Sequence, residues 1–312
     1  MKLLFNSAPY DYLAKELIER EETEFTPGVL ERQTFPDGER YLRVHSHVRG
    51  AHCTILAGTI DQESILEVYN LGYQLATSGA KKLTIVIPCF GYQTMERSSH
   101  PGEVVMAKTM AHLLSSIPNA SYGNEIVLFE PHTDTITNYF GANVTARAVA
   151  ATDVIMKACV ELAGTNFVLG STDVGRAKSI EYIARAFAAK HRNYQIETAF
   201  VYKRRNAGDD TTVTGINANV DKKVVVIYDD MIRTGGSLLK AANVYWEHGA
   251  KEVYAVAAHG IFPGCSFTPF LKADVIKGMA ITNSHPVGHA LARTNCDYLR
   301  GYSIAGLLSR YI

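Results

Sequence analysis

Short apolar runs alternate with longer amphipathic stretches along most of this 312-residue chain. LTIVIP (83–88), EIVLFE (125–130), FVLGS (167–171), VVVIYDD (224–230) and VYAVAAH (253–259) read as buried strands, short and continuously apolar. Between them, VVMAKTMAHLLSS (104–116), SIEYIARAFAAKH (179–191) and SLLKAANVYWEHG (237–249) space their apolar residues by three and four, the period of a helix. Buried strand, helix, buried strand is the pattern of a parallel α/β sheet.

The chain also matches itself. His52–Tyr92 and the segment beginning at Lys223 align without gaps at an offset of 170 residues. Both run strand, loop, helix, Gly-Ala-Lys, strand, then a loop containing an aromatic. A length of 312 residues suits two domains of roughly 150 each. The expectation is two α/β domains of one type, residues 1–148 and 149–312, with the boundary near 146–152. The copies differ in one loop. Thr59 and Ile60 stand where the second copy has Asp229 and Asp230, and Ile65 and Leu66 where it has Gly235 and Gly236. One catalytic loop is therefore expected, in the C-terminal half.

Composition narrows the class. The chain is 47% hydrophobic and 20% charged, with 31 basic and 31 acidic side chains, a globular balance with no sign of disorder. Zero net charge argues against a dedicated nucleic-acid binder. No run approaches the roughly 18 apolar residues of a membrane span, and MKLLFNSAPYDYLAK turns polar too soon for a signal-peptide core. The five cysteines are scattered singly without a CxxC, which predicts neither a disulfide framework nor a structural zinc site. A reducing, cytoplasmic setting is expected.

The chemistry concentrates in VVVIYDDMIRTGGS, Val224 to Ser237. In open parallel sheets ligands bind beyond the carboxyl ends of the strands, and this segment ends a strand and opens a helix. Thr234, Gly235, Gly236 and Ser237 offer backbone N–H groups, hydroxyls and a favourable helix dipole to a phosphate. Asp229 and Asp230 face the same space. Adjacent carboxylates are costly alone and tolerable if they bind sugar hydroxyls or a hydrated magnesium ion.

This segment resembles the phosphoribosyl-pyrophosphate loop of type I phosphoribosyltransferases and of ribose-phosphate diphosphokinases. FPDGER (35–40), HVRG (47–50), IPCFGY (87–92), EPHTD (130–134), STDVG (171–175), YKRR (202–205) and YSIAGLLSRYI (302–312) resemble diphosphokinase motifs, in that order, over nearly the whole length. The stretch ERSSHPGEVVMAKTMAHLLSSIP looks closer to class II members. The resemblance implies two similar type I phosphoribosyltransferase-like, Rossmann-like domains with parallel sheets. It implies magnesium-dependent transfer of the pyrophosphoryl group of ATP to the anomeric hydroxyl of ribose 5-phosphate, giving phosphoribosyl pyrophosphate and AMP.

Carried over residue by residue, Phe35, Asp37 and Glu39 would contact adenine, often across a subunit interface, and Arg97 the ATP phosphates. His132 and Asp173 would meet the metal–nucleotide complex, with Asp173 also at the ribose phosphate. Lys203 and Arg205, on a loop expected to close over ATP, would stabilise the migrating group. Asp229, Asp230 and the loop Arg233, Thr234, Gly235, Gly236, Ser237 would hold the ribose phosphate. The implied partners are ATP and a ribose phosphate, with neither nucleic acid nor membrane, in a homo-oligomer.

Three positions depart from the family pattern. Arg233 stands where class I members have an aspartate, QTMER (93–97) replaces a more basic stretch, and GRAKSIEY after Asp173 lacks the second glycine of the usual pair. An arginine at 233 suits a 5-phosphate, and equally a 5-diphosphate such as that of ADP-ribose, which has the same anomeric hydroxyl. A non-catalytic, synthetase-associated regulatory subunit is the reading from another class.

Overall fold

The structure is a computed structural model describing residues 1–190, 195–205 and 211–312, of which residues 195, 203–205 and 211–214 are described by backbone alone. The chain forms two compact units, Met1–Ala150 with Ile304–Ile312, and Ala151–Ser303.

In the first unit the strands are β1 (Lys2–Asn6), β2 (Phe25–Pro27), β3 (Leu30–Thr34), β4 (Arg40–Val44), β5 (His52–Leu56), β6 (Lys82–Ile87), β7 (Asn124–Phe129) and β8 (Val144–Val149). Its helices are α1 (Asp11–Ile18), α2 (Gln62–Thr77) and α3 (Met106–Ser115). Six strands make one parallel sheet in the order β2-β1-β5-β6-β7-β8, and β3 and β4 form a separate antiparallel hairpin. Every residue of β7 is buried, as a strand covered on both faces requires.

The second unit holds α4 (Thr152–Ala163), β9 (Asn166–Ser171), α5 (Ala177–Lys190), β10 (Gln195–Arg205), β11 (Thr211–Ile216), β12 (Val224–Ile232), α6 (Gly236–Glu247), β13 (Glu252–Gly260), α7 (Thr268–Ala273), β14 (Gly278–Thr282), α8 (Pro286–Thr294) and β15 (Leu299–Tyr302). Its sheet runs β11-β10-β9-β12-β13-β14-β15. Removing β11 leaves the order of the first sheet, strand for strand. The parallel α/β class follows from the apolar runs. What the runs do not predict is β11, an edge strand antiparallel to β10. Lys203 and Arg205 lie on β10 and pair in the ladder with Val213 and Thr211, where the charge cluster YKRR predicts a loop. A backbone ladder needs no apolar side chain, so a charge run can conceal an edge strand.

The internal repeat is visible in the backbone. α2 ends with Gly79 at φ +88°, its N–H donating to Ala76 O (3.1 Å) while Ala80 N–H donates to Leu75 O (3.1 Å). α6 ends the same way: Gly249 sits at φ +86°, Gly249 N–H donates to Trp246 O (2.9 Å) and Ala250 N–H to Tyr245 O (3.1 Å). This is a left-handed helix stop that satisfies the last carbonyls, and it favours glycine. The repeated Gly-Ala-Lys is that turn.

The C-terminal residues Ile304–Ile312 group with the first unit, whereas the sequence reading counts them in the second half. The short helix α9 (Ala305–Leu308) packs on α1, with Ile304, Ala305 and Leu308 buried. Their apolar surface is what draws the chain end back. Among the described residues no helix is long and apolar enough to cross a membrane.

Candidate functional site

β9 and β12 are neighbours at the place where the strand order reverses: β9 leads outward to β10, β12 to β13. Loops leaving such a pair turn to opposite sides and open a crevice at the carboxyl ends. β9 feeds Thr172–Arg176 into it, and β12 feeds Arg233–Ser237.

The sequence reading ends the strand at Asp230. Instead β12 continues to Ile232, because Asp229, Met231 and Ile232 go on pairing with Ala257, His259 and Gly260 of β13. The aspartates are thereby held by the sheet. Asp230 is buried, at 4% exposure, and Asp229 is partly buried. Between them sits Arg176, its Nη2 2.5 Å from Asp230 Oδ1 and its Nε 3.7 Å from Asp229 Oδ1. Thr172 Oγ1 donates to Asp229 Oδ2 at 3.5 Å and the Asp230 N–H to Asp229 Oδ1 at 3.0 Å.

Burial, then the charge of Asp230, pushes the Asp229 carboxyl up to about 8, with Arg176 acting in the opposite direction. Burial would lower the pKa of Arg176, but the carboxylates, Asp230 foremost, reverse this and raise it. The sequence reading missed Arg176 and Thr172. The signal for Arg176 was the arginine following Gly175, where the family pattern has its second glycine.

Beyond β12, Gly235 is the residue before α6, in the left-handed region at φ +78°, with no side-chain cap on the helix. A Cβ there would also lie 2.0 Å from Phe270 Cζ. Phe270 belongs to a buried aromatic cluster with Phe262 and Phe267 that supports the loop from below. Arg233, Thr234, Gly236 and Ser237 are exposed, and Ser266 Oγ donates to Arg233 O at 3.2 Å. Together with Asp229 they line a groove of about 220 Å³. First-turn N–H groups of a twelve-residue helix facing solvent can receive a phosphate.

Asp173 caps the turn after β9: its Oδ1 accepts from Gly175 N–H at 3.0 Å, and its carbonyl accepts from Ser171 Oγ at 2.8 Å. Beneath this turn the hydroxyl of buried Tyr245 lies 3.1 Å from the carbonyls of both Ser171 and Ala199, tying β9 to β10. Tyr245→Phe is expected to cost about 1–2 kcal/mol, read as a lower urea midpoint at unchanged slope.

Among the described residues no group of three or more His, Cys, Asp or Glu forms a ready-made metal cage. Magnesium does not need one, since it takes one or two carboxylates, water and substrate phosphates. The oxygen donors of Asp173 suit that ion.

Of the remaining candidates, Phe35, Asp37, Glu39, Arg97 and His132 belong to the first unit, and Lys203 and Arg205 to the second. Gln93 Oε1 accepts from His132 N–H (2.9 Å) and Tyr139 donates to Glu96 O (2.6 Å). The segment carrying Arg97 and the segment carrying His132 therefore pack together at the carboxyl ends of β6 and β7. Arg97 is exposed, with Nε 3.5 Å from Glu96 Oε1, and His132 is half-buried. Phe35, Asp37 and Glu39 lie exposed between β3 and β4, closed by Phe35 N–H to Glu39 O (2.8 Å) and Glu39 N–H to Asp37 Oδ1 (3.1 Å). The side chains of Lys203 and Arg205 fall outside the described part of the structure.

At the first copy's own switch point, between β1 and β5, the corresponding residues are closely packed. Buried Tyr10 packs so closely on Gly58 that a Cβ would meet its hydroxyl at 2.2 Å. Buried Thr59 is bonded on both sides, its N–H to Cys89 O (3.1 Å) and its Oγ1 accepting from Gly91 N–H (2.8 Å). The scaffold persists there, and side chains fill the site.

Comparison with known proteins bears on the family and the fold. A model of the N-terminal domain of ribose phosphate pyrophosphokinase matches residues 2–117, and one of the phosphoribosyl synthetase-associated domain matches residues 190–312. A ribose-phosphate pyrophosphokinase of Gloeobacter violaceus is 30% identical over 263 residues, spanning 84% of this chain and 75% of that protein. One from Pyrococcus abyssi is 29% identical over 259 residues, 82% of this chain and 84% of its own. The crystal structure of phosphoribosylpyrophosphate synthetase from Mycobacterium smegmatis superposes with a TM-score of 0.83 at 25% identity, covering 99% of this chain and 97% of that one. With both of its halves matched in order and its fold shared end to end, the chain belongs to the ribose-phosphate pyrophosphokinase family.

Proposed function

We propose that the protein transfers the pyrophosphoryl group of ATP to the anomeric hydroxyl of ribose 5-phosphate. The observation that carries this reading is one crevice with two complementary walls. The acidic pair can accept from sugar hydroxyls, and the Thr234–Ser237 turn at the start of α6 can hold the 5-phosphate. Fixing both ends of the acceptor leaves its C1 oxygen to attack the β-phosphorus in line. A bond forms from that oxygen to Pβ, the bond from Pβ to the bridging oxygen of the α-phosphate breaks, and AMP leaves. The hydroxyl proton is released. Bound Mg²⁺ would neutralise the polyphosphate and order its oxygens.

Asp173 and His132 are assigned to the metal–nucleotide complex, Arg97 to the ATP phosphates and Phe35, Asp37 and Glu39 to adenine. Lys203 and Arg205 are assigned to the migrating group, where added positive charge would favour the transition state over the ground state. The exposed position of Phe35, Asp37 and Glu39 supports a nucleotide site completed between copies of the chain in a homo-oligomer.

The test is AMP release from magnesium ATP with and without ribose 5-phosphate. Sugar-dependent AMP, matched one for one by phosphoribosyl pyrophosphate, is expected. AMP that forms at the same rate without sugar would overturn the reading.

Exposed Arg233 at the rim of the groove favours one second reading, an acceptor carrying a 5-diphosphate. In that case Arg233→Ala would lower kcat/KM for ADP-ribose by about tenfold or more and for ribose 5-phosphate far less. Equal losses on both sugars would remove the arginine from acceptor choice.

A further inference from the structure

We propose that Arg176 is the resident counter-ion of the acidic pair, so that the ribose end of the acceptor binds there without a divalent cation. The inference rests on the reading of this crevice as the acceptor site.

Three observations carry it. First, one guanidinium reaches both carboxylates, 2.5 Å from Asp230 and 3.7 Å from Asp229. Second, the contact is built in rather than a surface encounter. The Arg176 side chain is 17% exposed, against 5% for Asp230 and 17% for Asp229. Its backbone is set by the turn that Asp173 caps, with Arg176 N–H donating to Asp173 O at 3.3 Å. Third, the pairing crosses the switch point from the β9 loop to β12, so the positive charge lies inside the crevice where the sugar would bind.

The chemistry follows from charge. Two adjacent carboxylates in a partly desolvated site repel each other and call for a cation. Arginine supplies one that does not deprotonate and is held in place by the fold. Sugar hydroxyls then meet carboxylates that are already compensated and oriented. A divalent cation is left to the polyphosphate half of the reaction.

The experiment is calorimetric titration of ribose 5-phosphate into the full chain, once with excess EDTA and once with excess Mg²⁺. The wild-type Kd is expected to agree within about threefold between the two, a difference under 1 kcal/mol. Arg176→Gln is expected to weaken binding by about tenfold or more in EDTA and to recover when Mg²⁺ is added. Arg176→Lys, which keeps the charge, should retain most of the metal-free binding.

A purely structural role would weaken binding equally in both buffers, and that result overturns the inference. Arg176→Gln binding like wild type in EDTA also overturns it. Wild-type binding that appears only with Mg²⁺ overturns it alone, without needing any variant to fold. Wild type that binds the sugar in neither buffer overturns the acceptor-site reading, and the inference with it.

Discussion

Asp229→Asn is expected to reduce turnover by about 10³-fold while raising the thermal midpoint of the protein at pH 8. The two effects share one cause. In the fold, burial and the neighbouring Asp230 hold the Asp229 carboxyl up to about 8, from its ordinary 3.8. A folded value above the unfolded one means that the fold prefers the protonated form. The stability this group contributes is complete below about pH 4 and is lost as pH rises through about 8. Asparagine resembles the protonated form: its single carbonyl oxygen can keep the bond from Asp230 N–H, and its amide N–H can donate to Thr172 Oγ1 where the second carboxylate oxygen stood. Arg176 keeps Asp230 as its nearest partner.

The variant should therefore be the more stable of the two at pH 8 to 9, and its advantage should vanish near pH 4. Calorimetric midpoints across that range, beside an AMP-release assay, read both halves of the expectation. Wild-type activity in Asp229→Asn would remove the aspartate from the site. A lower midpoint at pH 8 would reverse the electrostatic argument. In the proposed function that destabilising charge has a use, because sugar hydroxyls bond more strongly to an ionised carboxylate than to an amide.

Gly235→Ala is expected to damage both stability and turnover. The left-handed φ of +78° costs a non-glycine residue about 1 kcal/mol. The new Cβ would meet Phe270 at 2.0 Å, and relieving such a contact in a packed cluster costs about 1–3 kcal/mol more. A total of about 2–4 kcal/mol should lower the midpoint by roughly 5–15 °C in a unit of this size. If the strain is relieved by moving the turn, its N–H groups leave the position proposed for the phosphate. A loss of about 100-fold in kcat/KM for the sugar phosphate is expected.

Gly236→Ala is the control one residue on. Gly236 has no positive φ, and a Cβ there meets nothing within 4 Å, so its stability should stay near wild type. If both variants lose stability equally, Phe270 is not the reason for the glycine.

Much of the proposed site can be read locally because its chemistry is local. Two carboxylates at a strand end, two glycines and a serine opening a helix are a phosphate-and-sugar pattern wherever the strand lies. Asp173 came from the family pattern, with Gly175 two residues on allowing close backbone approach. Phe35, Asp37, Glu39, Arg97 and His132 came from the family pattern, and their residue types alone would equally fit a hairpin tip, a surface arginine and a structural histidine. Arg176 was misjudged as a missing glycine. Its role depends on a carboxylate pair more than fifty residues away, which no local reading connects to it.

The amino-acid sequence by itself determined the elements, their class and the repeat. Continuous apolar runs demand strands covered on both faces, three- and four-residue spacing demands helices, and a Gly at each repeated helix end stops the helix in the left-handed region. These are short-range effects, settled within one or two turns of chain. Tertiary structure alone decided which strands became neighbours. By placing β9 beside β12 it set Arg176 between Asp229 and Asp230, pressed Phe270 under Gly235 and let Tyr10 fill the corresponding space in the first copy. Neighbour order follows from how whole layers close around a core, and periodicity within a single element does not contain it.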